Sequence, residues 1–124
     1  MNKIAGENSI SIDGLEHLTG DEKKAVADIR ERLNGFVGSR LRGLYVFGSK
    51  ARGDYDSESD VDLAILIDGL DRETKRKIID CVADVEVKYF VVISSLVLSW
   101  KDFTDLKKRE RRIAFDIERE GISL

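Results

Sequence analysis

One stretch constrains this chain more than any other: Gly43 to Leu66, GLYVFGSKARGDYDSESDVDLAIL. It opens with an apolar run, Leu44-Tyr45-Val46-Phe47, which reads as a buried strand. A tight Gly48-Ser49 turn follows, then a polar acidic loop, then a second strand with Asp60 and Asp62 at its mouth. Strand side chains alternate faces, so positions 60 and 62 point the same way, with Cα atoms roughly 6.5–7 Å apart. Two carboxylates converging from one rigid strand suit a hard divalent cation such as Mg2+. The Gly48-Ser49 turn offers backbone N–H groups and a hydroxyl, which suit phosphate oxygens. Packed side by side, the two strands would bring both features to one end of a sheet.

The rest of the chain allows one domain around this segment. With 124 residues, 42% hydrophobic and 36% charged, it is long enough to bury a core without staples and carries a heavily charged surface. We therefore read 1–124 as a single domain, with 1–18 as an extension or an edge strand around Ile10-Ser11-Ile12. A net charge of −3 supplies no global drive toward nucleic acid or an anionic membrane. The polar, glycine-broken start does not resemble a signal peptide, and no run approaches the ~18 apolar residues of a membrane span. The single cysteine, Cys81, excludes an internal disulfide. A cytoplasmic protein is the expectation.

Thr19-Gly20-Asp21-Glu22 fits a capping box, and Ala25, Val26, Ile29, Leu33 and Phe36 recur behind it at helical spacing. Gly35 and Gly38 should end that helix. After the organising segment, Asp68-Gly69 marks a turn and Asp71 caps a second helix to about Ala83, burying Ile78, Ile79, Cys81 and Val82. Val85 to Ile93 then reads as a third, central strand. Ser99 with Asp102 opens a last helix whose stripe is Phe103, Leu106, Glu110, Ile113, Ala114 and Ile117. Gly121 stops it, leaving Ile122 and Leu124 to pack back. The order helix, strand, strand, helix, strand, helix describes an α/β (α+β) domain: a small mixed β-sheet covered by helices.

Gly48-Ser49-Lys50-Ala51-Arg52-Gly53, followed by Ser59-Asp60-Val61-Asp62-Leu63, resembles the signature of the polymerase-β-like nucleotidyltransferases, and is closest to their minimal branch. The resemblance implies the nucleotidyltransferase fold and a Mg2+-dependent transfer from ATP or another nucleoside triphosphate. Gly48, Ser49, Lys50 and Ser59 would bind the nucleotide, and Asp60 and Asp62 would be both metal ligands and the catalytic pair. In the smallest members the acceptor is a hydroxyl on a helical HEPN-type partner protein, AMP is the group moved, and the pair acts as toxin and antitoxin. A homo-oligomer is compatible with this picture, whereas a membrane or a directly bound nucleic acid is not part of it. Arg52 reads as the partner of the acidic loop, Asp54, Asp56 and Glu58.

The chain departs from the family pattern at one point. The family places a third carboxylate on the next core strand, and the matching position here is Val92, with no acid between Lys88 and Ser99. Glu86 shares strand parity with Val92, but six residues of strand span about 20 Å. It could substitute only if the strand entered the site at its start. A nucleotide-binding module without transfer is therefore the alternative reading. His17, Cys81, Tyr89 and Trp100 read as structural, and Lys107–Arg112 as a solvated face balanced by nearby acids.

Overall fold

The computed structural model describes residues 15–54 and 59–124. The Ile10–Ile12 segment and the acidic residues Asp56 and Glu58 lie outside them. Four strands form one mixed sheet in the order β3-β2-β1-β4: β1 (Leu41–Phe47), β2 (Val61–Ile67), β3 (Ile93–Ser99) and β4 (Ile122–Ser123). β1 runs antiparallel to β2 and to β4, while β2 and β3 are parallel. A parallel pair needs a crossover, supplied here by the long helix α3 (Arg72–Tyr89). β2 lies between two strands and is covered on both faces, which is why VDLAILI reads as a nearly continuous apolar run.

Strand alternation divides the core in two. Leu44, Val46, Val61, Leu63, Ile65 and Ile67 face helix α1 (Gly20–Phe36) and α3, meeting Ala25, Val26, Ile29 and Leu33 from one and Ile78, Val82 and Val85 from the other. On the opposite face Ala64 and Leu66 pack against Phe103 of α4 (Trp100–Lys108), Ala114 of α5 (Arg112–Phe115) and Ile117. Asp60 and Asp62 share parity with Ala64 and so belong to this second face, where the buried cluster starts only at Ala64.

The helix starts follow the sequence closely. The Thr19 hydroxyl accepts from Glu22 N–H at 3.1 Å, and the Glu22 carboxylate accepts from Thr19 N–H at 2.9 Å, completing the capping box. Asp71 accepts from Thr74 N–H, and Ser99 from Asp102 N–H. Gly121 is followed by β4, and the Leu124 N–H donates to the Leu44 carbonyl at 2.8 Å.

Four expectations are corrected. α3 runs on through Tyr89, so Val85 to Tyr89 is helix; the third strand is Ile93–Ser99, and it lies at the edge of the sheet beside β2. Ile79 and Phe36 are exposed, because each lies off the stripe that faces the sheet. Gly35 lies inside α1, which ends at Val37 with Gly38 following at φ 55. The last helix breaks after Lys108, where Glu110 adopts φ 55, and resumes as α5 and a wider turn over Asp116–Glu120.

Two polar clusters fix helix positions. Asp28 of α1 accepts from Arg32 at 2.9 Å, Tyr89 Oη at 3.0 Å and Lys88 at 3.2 Å, tying α1 to the end of α3. The Arg32 hydrogen bond, with those of Lys88 and Tyr89, holds its carboxyl below the usual aspartate range against the effect of burial. A carboxylate whose pKa is depressed on folding stabilises the fold above its unfolded pKa, and that contribution is lost as pH falls. Asp28→Asn should therefore lower Tm at pH 7, and the deficit should shrink progressively as pH falls below the ordinary aspartate value of 3.8, by calorimetry across the acid range.

The second cluster joins α1 to the turn after β1. Lys50 is 6% exposed, and its Nζ lies 2.9 Å from each Glu22 carboxylate oxygen. Breaking a buried pair by removing one partner leaves an uncompensated charge and costs about 3–5 kcal/mol. Lys50→Ala and Glu22→Ala should each lose about that much in denaturant unfolding. The double variant Glu22→Leu/Lys50→Met, which buries no charge, should recover most of it.

Candidate functional site

The site is built where β1 ends beside the start of β2. The antiparallel register pairs Phe47 with Asp62, so the residue after Phe47 must turn directly against the Asp62 side chain. That residue is Gly48, at φ 72 and ψ −155, a region L side chains rarely adopt. A Cβ on Gly48 would also overlap Asp62 Oδ2. Both constraints demand glycine, and together they place the Gly48-Ser49 turn in contact with the carboxylate.

Ser49 opens the single-turn helix α2 (Ser49–Arg52), whose first N–H groups precede any intrahelical acceptor. The Gly48 carbonyl accepts from Ala51 and Arg52, both at 3.1 Å, which closes the turn tightly. Gly53 ends it at φ 93, where a Cβ would stand 2.9 Å from His17 Nε2. His17 thus packs on the turn from the segment before α1, a contact its position in the sequence gave no sign of.

Lys50 and Arg52 leave the turn in different directions. The Lys50 ammonium pairs with Glu22 at the start of α1, which braces the turn against that helix. The Arg52 guanidinium meets Asp54 at 3.2 Å, as the acidic-loop reading anticipated, and also Glu120 at 3.4 Å. Glu120 became visible only through the fold, because β4 brings the residues before it to β1.

The electrostatics centre on Asp62. Burial pushes its carboxyl pKa up, the neighbouring Asp60 charge pushes it further, and Arg52 opposes them. An ionised pair here is a concentration of negative oxygen that a divalent cation would offset, and the donor set is the hard oxygen type that Mg2+ takes. Asp60 and Asp62 therefore fit such an ion. Among the described residues no group of three or more His, Cys, Asp or Glu side chains gathers to hold a metal.

The neighbouring strand explains why. β3 pairs Val61 with Ile93 and Asp62 with Ser94, and the Val61 N–H donates to the Val92 carbonyl at 3.2 Å. Val92 therefore stands just before β3 and on the Asp60 side, with Ser94 beside Asp62; neither is an acid. Glu86 is not on a strand at all. It belongs to α3, on the other side of the sheet, and its carboxylate accepts from the Ile93 N–H at 2.9 Å. A role for Glu86 as the third ligand is thereby corrected.

Ser59 and Asp60 line a cavity of about 370 Å³. The start of α1 (Thr19, Asp21, Glu22) forms one wall, and the α3–β3 connection (Phe90, Val91, Val92) the other. No helix among the described residues is long and apolar enough to cross a membrane.

The family model for polymerase beta nucleotidyltransferases matches residues 34–124. Two proteins of Methanocaldococcus jannaschii, both named as candidate protein adenylyltransferases, are similar to the chain. One is 34% identical over 73 residues, covering 58% of this chain and 74% of the relative. The other is 37% identical over 79 residues, covering 64% and 75%. The crystal structure of a candidate nucleotidyltransferase from Sulfolobus solfataricus aligns with a TM-score of 0.46 at 20% identity, over 99% of this chain and 87% of that one.

Asp62 has a stability consequence of its own. An acid whose pKa is raised on folding favours the fold most below its unfolded pKa, and the advantage disappears as pH rises through the folded value. Above the ordinary aspartate value of 3.8, ionised Asp62 is therefore a liability to the protein alone. Asp62→Asn should raise Tm at pH 7 and flatten its fall between acid and neutral pH, measured without nucleotide or divalent cations.

Proposed function

Since this chain belongs to the polymerase beta nucleotidyltransferase family, we propose that it moves AMP from Mg2+-bound ATP to a hydroxyl on a partner protein. The observation that supports this reading is the contact of Gly48 with Asp62, which brings the Gly48-Ser49 turn against one of the two carboxylates. Gly48 and Ser49 would hold the terminal phosphates through backbone N–H groups and the Ser49 hydroxyl. Asp60 and Asp62 would hold Mg2+, which when bound neutralises charge on the triphosphate. Ser59 lies in the cavity beside Asp60, where nucleotide would enter. Lys50 serves nucleotide binding indirectly, by fixing the turn through Glu22.

The reaction needs alignment more than covalent help from the protein. The acceptor oxygen attacks the α-phosphorus in line and forms the new O–P bond. The bond from the α-phosphorus to the oxygen bridging to the β-phosphate breaks, pyrophosphate leaves with that electron pair, and the acceptor proton passes to solvent. A protein acceptor is in keeping with the names of the two archaeal relatives. The resemblance to the minimal branch narrows it to a small helical HEPN-type protein, with this chain as its antitoxin in the cytoplasm.

A second reading has an observation of its own. Val92, just before β3, and Ser94 within it stand beside Asp60 and Asp62, so the usual third carboxylate is missing there. The chain would then bind nucleotide and partner without transfer. Incubation with α-labelled ATP, Mg2+ and the HEPN-type partner separates the two. Labelled AMP on the partner, reduced at least about 100-fold by Asp60→Asn, supports the enzyme. Thermal stabilisation by MgATP with no label on the partner supports the binding module, and absence of both rejects the nucleotide site.

A further inference from the structure

α3 carries two apolar faces. One, through Ile78, Val82 and Val85, is buried against the sheet. The other, Ile79, Ala83, Val87 and Phe90, recurs at intervals of four, four and three and is exposed along its whole length. Val87 is 81% exposed, Phe90 98% and the adjoining Val92 59%. Single exposed apolar residues are ordinary, but a continuous stripe about 16 Å long is the pattern of an interaction surface. Phe90 adds a second anomaly: it closes α3 at φ 58 and ψ 48, a position where glycine is the usual occupant. Neither its backbone nor its exposure favours the isolated fold.

The stripe leads into the site, since Phe90 and Val92 line the cavity that contains Asp60. A nucleobase resting on Phe90 would leave Val87, Ala83 and Ile79 bare, so the face is too long for the nucleotide alone. Its borders are charged in a definite pattern. Asp80 and Asp84 are exposed along one edge, and Arg72 and Arg76 at the amino-terminal end. We propose that this stripe docks the acceptor protein through an amphipathic helix. Its apolar residues would cover Ile79 to Phe90, its lysines or arginines would meet Asp80 and Asp84, and its acids would meet Arg72 and Arg76. The docked helix sets the acceptor hydroxyl at the Asp60 end of the face. This rests on the protein-acceptor reading above and gives that acceptor a place to bind.

The test places a photo-crosslinking residue at position 87 of the full chain, and separately at position 83, in the organism's own cells. The expected adduct is a different protein that, once purified, wild type labels from α-labelled ATP. Val87→Glu and Ala83→Glu, both on an exposed helix face, should reduce that labelling at least tenfold at low partner concentration. Asp80→Lys/Asp84→Lys should reduce it as well, and all three should keep the wild-type thermal shift with MgATP. An adduct to a second copy of this chain, or no adduct, overturns the proposal. So does a captured protein that the Glu variants label as well as wild type does, or one that is never labelled although MgATP binds. A wild type with no MgATP shift is a failure of the nucleotide-site reading instead, and the adduct still reports what covers the stripe.

Discussion

The buried ion pair between Glu22 and Lys50 is the interaction on which the geometry of the site depends. A lysine ammonium that is 6% exposed is costly to desolvate, and a carboxylate beside it repays that cost only when its remaining oxygens and protons are also bonded. Here both Glu22 oxygens meet the ammonium, and one also accepts from the Thr19 N–H. The capping box that starts α1 is thus the same structure that holds the turn after β1. Four-residue α2 has little stability of its own. It is fixed by Lys50 on one side, by His17 against Gly53 on another, and by Gly48 against Asp62 on a third.

The sheet then decides what that turn faces. In the antiparallel register Phe47 opposes Asp62, and a slip of one residue would turn Asp62 to the α1–α3 face and carry Val61, Leu63 and Ile65 away from it. Burial of the alternate residues of β2 therefore specifies the register, and the register specifies which turn residue meets the carboxylate. Packing of the core and assembly of the site are one event at this end of the sheet. The C-terminal segment contributes from the far side, where β4 pairs with β1 and sets Glu120 on Arg52.

Much of this was legible in the sequence because the signals are local. Thr19 with Glu22, Asp71 with Thr74 and Ser99 with Asp102 are caps whose partners lie three residues away. The two strands around Gly48 announce themselves by length and apolarity. The end of α3 was misread because Val85-Glu86-Val87-Lys88 alternates like a strand, yet Val85 also continues the helical series of Ile78 and Val82. Packing of Val85 against the sheet decided for the helix over β-branched propensity, and the third strand moved downstream to Ile93. The partner of Lys50 was illegible for a different reason: Glu22 lies 28 residues earlier, and nothing local links the two.

The missing third acid makes sense as electrostatics of the unliganded protein. Asp62 already has its carboxyl pKa raised by burial and by Asp60, and its counter-charge, Arg52, is shared with Asp54 and Glu120. The other cation on the turn, Lys50, is directed to Glu22. A carboxylate at position 92 or 94 would add like charge where the cations of the turn are already engaged. The chain instead places a hydroxyl, Ser94, beside Asp62 and leaves Val92 half-exposed next to Phe90. The connection leading into β3 thus sets apolar surface, Phe90 and Val92, in the cavity that Asp60 lines.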